Sequence, residues 1–156
     1  HFQYSDPMAV EIRVLGPDDL AVLLNVADDV FDHPIQPEYA EEFLRDPRHH
    51  IAVAIDAGLV VGFASAVHYL HPDAAPQLWI NEVGVAETHL RRGLGKALLL
   101  RLFDVGRAQR CQEAWVLTHR TNLAAMGLYL SVGGQEGADH ESPGDEIVGY
   151  TFSLIA

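Results

Sequence analysis

Three places in the 156-residue sequence combine residue types and spacings that suit chemistry. The first is Arg91-Arg92-Gly93-Leu94-Gly95-Lys96. It follows an apolar run ending at Val85 and precedes the helical spacing of Ala97, Leu98, Leu99, Leu102, Phe103 and Val105. The N–H groups of a helix's first turn have no internal partners and carry the positive end of its dipole. Glycines at 93 and 95 let an anion come close to that backbone. The loop reads as a pyrophosphate cradle or, equally, as a tight turn with solvated arginines. It lacks the G-x-x-x-x-G-K-S/T spacing of a Walker loop and the G-x-G-x-x-G of a dinucleotide fold. The second place is Glu82, in the otherwise apolar run Leu78-Trp79-Ile80-Asn81-Glu82-Val83. An acid there is costly unless exposed or partnered. It suits a proton acceptor or an ammonium-binding carboxylate, the alternative being a solvated strand face. The third is Tyr129, seven residues after Asn122. A phenol of pKa about 10 stays protonated at neutral pH and can donate. Taken alone, an aromatic on an apolar helix face reads as core.

The surrounding periodicities predict the elements that must position these groups. Val10, Ile12 and Val14 alternate as in a strand, and Gly16-Pro17-Asp18-Asp19 turns the chain into helical spacing from Leu20 to Phe31. Asp32-His33-Pro34 interrupts that helix, and a second short one runs from Pro37 to Arg45. His50 to Ile55 and Leu59 to Tyr69 flank Asp56-Ala57-Gly58 as a hairpin. Leu78 to Val85 is a strand in which Gly84 marks a bulge or a close backbone approach. A helix to about Ala108, a strand Glu113–Thr118, a helix Asn122–Val132 and weak strands near 135–138 and 147–154 complete a β-α-α-β-β-β-α-β-α-β-β order. This is one mixed α/β domain spanning 8–156. His1 to Pro7 read as an extension without function.

Composition narrows the function classes. The chain is 49% hydrophobic and 21% charged, as ordinary globular proteins are. No apolar run approaches the roughly 20 residues of a membrane span. The single Cys111 cannot form an internal disulfide, so a cytoplasmic location is expected. The nine histidines show no metal-ligand spacing, and no G-x-S-x-G elbow is present, so neither a metal site nor a serine hydrolase is expected. His119 ends a strand and stands within reach of a site, while His68 and His71 flank a loop. The net charge of −12 disfavours binding to nucleic acid or anionic membrane. It is unevenly spread. Residues 91–120 hold seven Lys/Arg against two acids, and the rest of the chain holds three against twenty.

The segment Asn81 to Ala97 resembles the GNAT superfamily of acetyl-coenzyme A N-acetyltransferases. The family's loop is Q/R-x-x-G-x-G/A, here with Leu90 at its first position. Its second signature, N-x-x-A-x-x-L/F-Y, is matched by Asn122, Ala125, Leu128 and Tyr129. The resemblance implies an α/β GNAT fold, with a mostly antiparallel mixed sheet of six to seven strands and about four helices. It implies acetyl-CoA as cosubstrate, with loop N–H groups of Arg91, Arg92, Gly93, Leu94, Gly95 and Lys96 on its pyrophosphate. Strand backbone around Val83, Gly84 and Val85 would lie along its pantetheine arm, with Asn122 and Ala125 beside it. Tyr129 would donate a proton to the departing thiolate. Glu82 would act as the base, directly or through water.

Within that superfamily the sequence resembles the aminoglycoside 3-N-acetyltransferase type I group, at Leu78–Ala86, Glu113–Thr118 and Asn122–Tyr129. The implied acceptor is a cationic aminoglycoside acetylated at the 3-amine of deoxystreptamine, which would confer antibiotic resistance. Besides Glu82, the carboxylates expected to face it are Asp28, Asp29 and Asp32, and Asp139, Glu141, Asp145 and Glu146. Another cationic amine (a polyamine, amino acid or protein amine) or a non-catalytic acyl-CoA-binding role is the alternative. The resemblance also carries the expectation of a homodimer.

Overall fold

In the computed structural model, which describes residues 9–137 and 146–155, the first alternating run forms strand β1 (Glu11–Val14). It pairs antiparallel with β2 (His49–Asp56), which turns into β3 (Leu59–Tyr69). The turn residues Ala57 (φ 49°) and Gly58 (φ 82°) are both left-handed, as a two-residue hairpin matched to strand twist requires. β4 (Gln77–Val85), β5 (Glu113–His119), β6 (Gln135–Glu136) and β7 (Ile147–Ser153) complete one seven-stranded sheet of order β1-β2-β3-β4-β5-β7-β6. All neighbours are antiparallel except β4 and β5.

The expected helix from Leu20 to Phe31 is one turn, α1 (Leu20–Leu23). Sheet pairing defeats the helical periodicity beyond it. Val26 bridges Val60, the Asn25 carbonyl accepts the Val60 N–H, and the Ala27 N–H donates to the Val60 carbonyl. The Asn25 side chain also donates to the Gly58 carbonyl at 2.7 Å. The segment to Pro37 is therefore an irregular strap against the sheet. It leads into α2 (Pro37–Arg45), which buries Ala40 and Leu44.

The long helix α3 (Leu94–Ala108) lies on the opposite face, burying Leu94, Leu98, Leu99, Leu102 and Phe103. It lies close because the sheet beneath it is built from small residues. Ala52 faces Ala64 and Ala54 faces Gly62, where a Cβ would stand 3.4 Å from Leu98 Cδ1. Helix α4 (Leu123–Ser131) joins this layer, with Tyr129 against Tyr150 and Phe152 of β7. Among the described residues, no helix is long and apolar enough to cross a membrane.

Candidate active site

Two irregularities in β4 open the site. Ser65 faces Glu82 and Ala66 faces Ile80, which leaves Asn81 without a partner on β3. This one-residue bulge bends the strand. The bulge thus sits at Asn81, and Gly84 answers the other expectation, close approach. A Cβ on Gly84 would stand 2.5 Å from the Val30 carbonyl and 3.0 Å from Phe63 Cε1. The parallel pairing of β4 with β5 holds only at Leu78–Ala114 and Trp79–Trp115. Beyond it, among the described residues, the pairing of β4 with β5 does not continue toward Val85.

That opening is a cleft of about 1190 Å³. Its walls include Glu82, Val83, Gly84 and Val85 of β4, Leu117 to His119 of β5, and Asn122, Ala125 and Tyr129 from the α4 region. Its floor is the entry to α3, with Arg91, Gly93, Leu94, Gly95 and Lys96. Arg91 (φ 64°) and Gly93 (φ 75°) are both left-handed, and Gly93 N-caps α3 with no side chain bonded to the first-turn N–H groups. Successive N–H groups in such a loop converge on an anion. Gly95 serves helix packing as well, since a Cβ there would stand 3.1 Å from Leu128 of α4. Arg92 is exposed and does not line the cleft.

The cleft holds two chemically distinct side chains. Tyr129 is 5% exposed, and burial raises its hydroxyl pKa above the ordinary value. Its oxygen has no hydrogen-bond partner among the described residues, yet no buried polar side-chain atom there is unsatisfied. The hydroxyl therefore opens onto the cleft that Tyr129 lines. Glu82 is exposed and lines both this cleft and an adjoining cavity beneath the strap and α2. Asn122 caps α4, its Oδ1 accepting the Ala125 N–H at 3.0 Å, so its amide NH₂ is the group left to face the cleft.

The expected acceptor carboxylates divide. Asp32 and Asp29 line the cleft, but Asp29 Oδ2 accepts the Glu87 N–H at 2.9 Å. Asp28 lines a separate groove with Leu24 and Val26. Glu146 is exposed outside the cleft lining, its carbonyl accepting the Arg120 N–H. Asp139, Glu141 and Asp145 lie outside the described residues. His119 lines the cleft, whereas His68 is buried and bonded to His50.

Sequence reasoning missed His89. It lines the cleft and is held at both ring nitrogens, Nε2 to Asp56 Oδ2 and Nδ1 to Thr88 Oγ1, each at 2.7 Å. Through it the short 3₁₀ turn Glu87–His89 is pinned to the β2–β3 hairpin. A histidine two residues before the arginines is the signal that marks it.

The chain belongs to the acetyltransferase (GNAT) family, whose model matches residues 20–133. It is 30% identical over 106 residues to the N-alpha-acetyltransferase RimI of Mycobacterium tuberculosis. That match covers 68% of this chain and 65% of the relative, a little less than two-thirds of its length. Arabidopsis thaliana NAA60, solved in complex with acetyl-CoA, shares the fold with a TM-score of 0.70 at 19% identity, over 92% of this chain and 97% of that one. The aminoglycoside acetyltransferase HMB0005 from an uncultured soil metagenomic sample shares it with a TM-score of 0.69 at 21% identity, over 88% and 99%.

Proposed function

We propose that the protein transfers the acetyl group of acetyl-CoA directly to a primary amine within a ternary complex. Bound acetyl-CoA supplies an activated thioester, and the cleft fits it. An uncapped helix entry flanked by Arg91 and Lys96 suits a pyrophosphate, and the unpaired β4 edge suits an extended amide-bearing arm. The observation that carries the reading is that Glu82 and Tyr129 line one cleft from different walls. The Glu82 carboxylate accepts the proton that makes the amine nucleophilic, directly or through water. The nitrogen bonds to the carbonyl carbon, the carbon–sulfur bond breaks as the Tyr129 hydroxyl donates its proton to the leaving sulfur, and the proton shed by the acylated nitrogen passes through water to the Tyr129 oxygen and restores its hydroxyl. Burial keeps that phenol protonated and available.

The acceptor suggested by the sequence is an aminoglycoside amine. Asp32 and Glu82 on the cleft wall support a multiply charged acceptor, as does the net charge of −12. A second reading, an amine attached to an apolar group, is favoured by the cavity beside Glu82. Thiol release from acetyl-CoA is the test, with gentamicin-type aminoglycosides, spermidine and peptides as acceptors. Tyr129→Phe is expected to lower kcat about 100-fold with little change in the KM for acetyl-CoA. An unchanged kcat removes Tyr129 from the mechanism, and no thiol release with any amine removes the reading.

A further inference from the structure

The acceptor side of the molecule contains a cavity of about 480 Å³ that acetyl transfer alone does not require. Its walls are mostly rings and alkyl groups, among them Leu23, Phe31, Ile35, Tyr39, Phe43 and Phe63. Phe31 and Phe63 stack with centroids 3.9 Å apart, and Tyr39 stands 70% exposed at the wall. The polar lining groups are Ser65 and Glu82, which are cross-strand neighbours, together with His33, Gln36, Asn81 and the Tyr39 hydroxyl. Ser65 is only 5% exposed, and its hydroxyl has no partner among the described residues. Since no buried polar side-chain atom there is unsatisfied, this hydroxyl faces the open space. Glu82 is the one carboxylate among the described lining residues, and it also borders the acetyl-transfer cleft.

We propose that this cavity binds an apolar group carried next to the acceptor amine. The ammonium sits at Glu82 and Ser65, and the alkyl or aryl group lies among Phe31, Phe43 and Phe63. One carboxylate matches one cation. A polycation would instead bring further ammonium groups into a cavity whose described lining holds no second carboxylate to pair with them, at a desolvation cost. The shared chemistry is a primary amine beside a bulky apolar substituent. Its source is either a peptide whose first residue is large and apolar or a free arylalkylamine. The inference rests on the acetyl-transfer reading and narrows its acceptor.

The experiment is thiol release from acetyl-CoA by the intact chain. The acceptors are two heptapeptides differing only in a first Leu or Gly, 2-phenylethylamine, spermidine and a gentamicin-type aminoglycoside. The Leu peptide is expected to exceed the Gly peptide in kcat/KM by about 10- to 100-fold. Turnover of 2-phenylethylamine close to that of the Leu peptide would identify a free amine as sufficient, and much slower turnover would identify the peptide backbone as part of the ligand. Either result supports the cavity assignment when the Leu preference holds. The exposed-ring variant Tyr39→Ala and, separately, Phe43→Ala are expected to shrink the Leu-to-Gly ratio several-fold. Equal rates for the two peptides, or preference for spermidine or the aminoglycoside, would overturn the inference while leaving acetyl transfer standing. No thiol release with any of these amines would instead remove the acetyl-transfer reading on which it rests.

Discussion

Gly84 is where a single missing methyl group sets the geometry of the site. Its backbone lies against the Val30 carbonyl, and Phe63, which borders both spaces, closes over it. A Cβ at 2.5 Å from a backbone oxygen cannot be absorbed by a rotamer change, so the strap or β4 must move. Gly84→Ala is therefore expected to cost about 1–3 kcal/mol and to raise the KM for the amine more than that for acetyl-CoA. Thermal melts and initial rates check both. The sequence pointed to Gly84 because a glycine inside an apolar strand asks for an explanation. It offered a bulge as the other reading but put it at Gly84, whereas the residue without a β3 partner is Asn81, where nothing in the side chain announces it. Tyr129 shows the converse. Its burial fits the core reading as well, and the unpartnered hydroxyl at the cleft is what supports the proposed donor role.

At the scale of elements, legibility follows how local the determinants are. The α3 entry was readable because its left-handed glycine, its cations and its helical periodicity lie within a few residues of each other. The strap at 24–36 was not, because its backbone answers to Val60 and Gly58 on the hairpin rather than to its own apolar spacing. The apolar cavity is likewise assembled from α2, the strap, β3 and β4. The hairpin governs the anion loop too, through Asp56 and His89. His89→Ala removes that tie without touching the first-turn N–H groups, so the KM for acetyl-CoA is expected to rise several-fold while kcat changes less. Initial rates at saturating amine test this, and an unchanged KM would reduce His89 to packing.

The same hairpin carries a buried histidine pair, His50 Nε2 against His68 Nδ1 at 2.7 Å. Burial lowers both pKa values, with His68 adding to the effect on His50, which falls to about 4. Arg48 and His49 oppose further charge there, while Asp46 favours it. The unfolded chain takes up a proton at position 50 near pH 6.5, and the folded chain does not until about pH 4. Stability from this group is thus complete above pH 6.5 and declines as pH falls toward 4, by up to about 3 kcal/mol. Urea unfolding at pH 7 and pH 5 should show the loss. A His50→Phe/His68→Leu variant should flatten the difference.

Across the whole molecule, the division of charge becomes more specific than the sequence implied. Of the seven cations between 91 and 120, Arg101, Arg107 and Arg120 are engaged elsewhere, with the Ile12 carbonyl, the Leu154 carbonyl and Glu136. Arg91 and Lys96 are the two that line the cleft. On the proposed reading the anionic cosubstrate meets this small positive focus in a strongly negative molecule, and its binding would depend on that focus. Raising salt from about 0.1 M to about 1 M shortens the screening length from about 10 Å to about 3 Å. The KM for acetyl-CoA is expected to rise about 3- to 10-fold over that range, and Lys96→Ala should weaken the dependence while raising KM at low salt. The amine responds according to its class. A polycation drawn by the general negative field would lose affinity steeply over the same range. An amine held by Glu82 and an apolar cavity would lose little, because burial of its substituent is not screened by salt. Paired salt titrations of the two KM values therefore read the acceptor's charge from the protein's own electrostatics, and a steep amine response would favour the aminoglycoside reading over the apolar one.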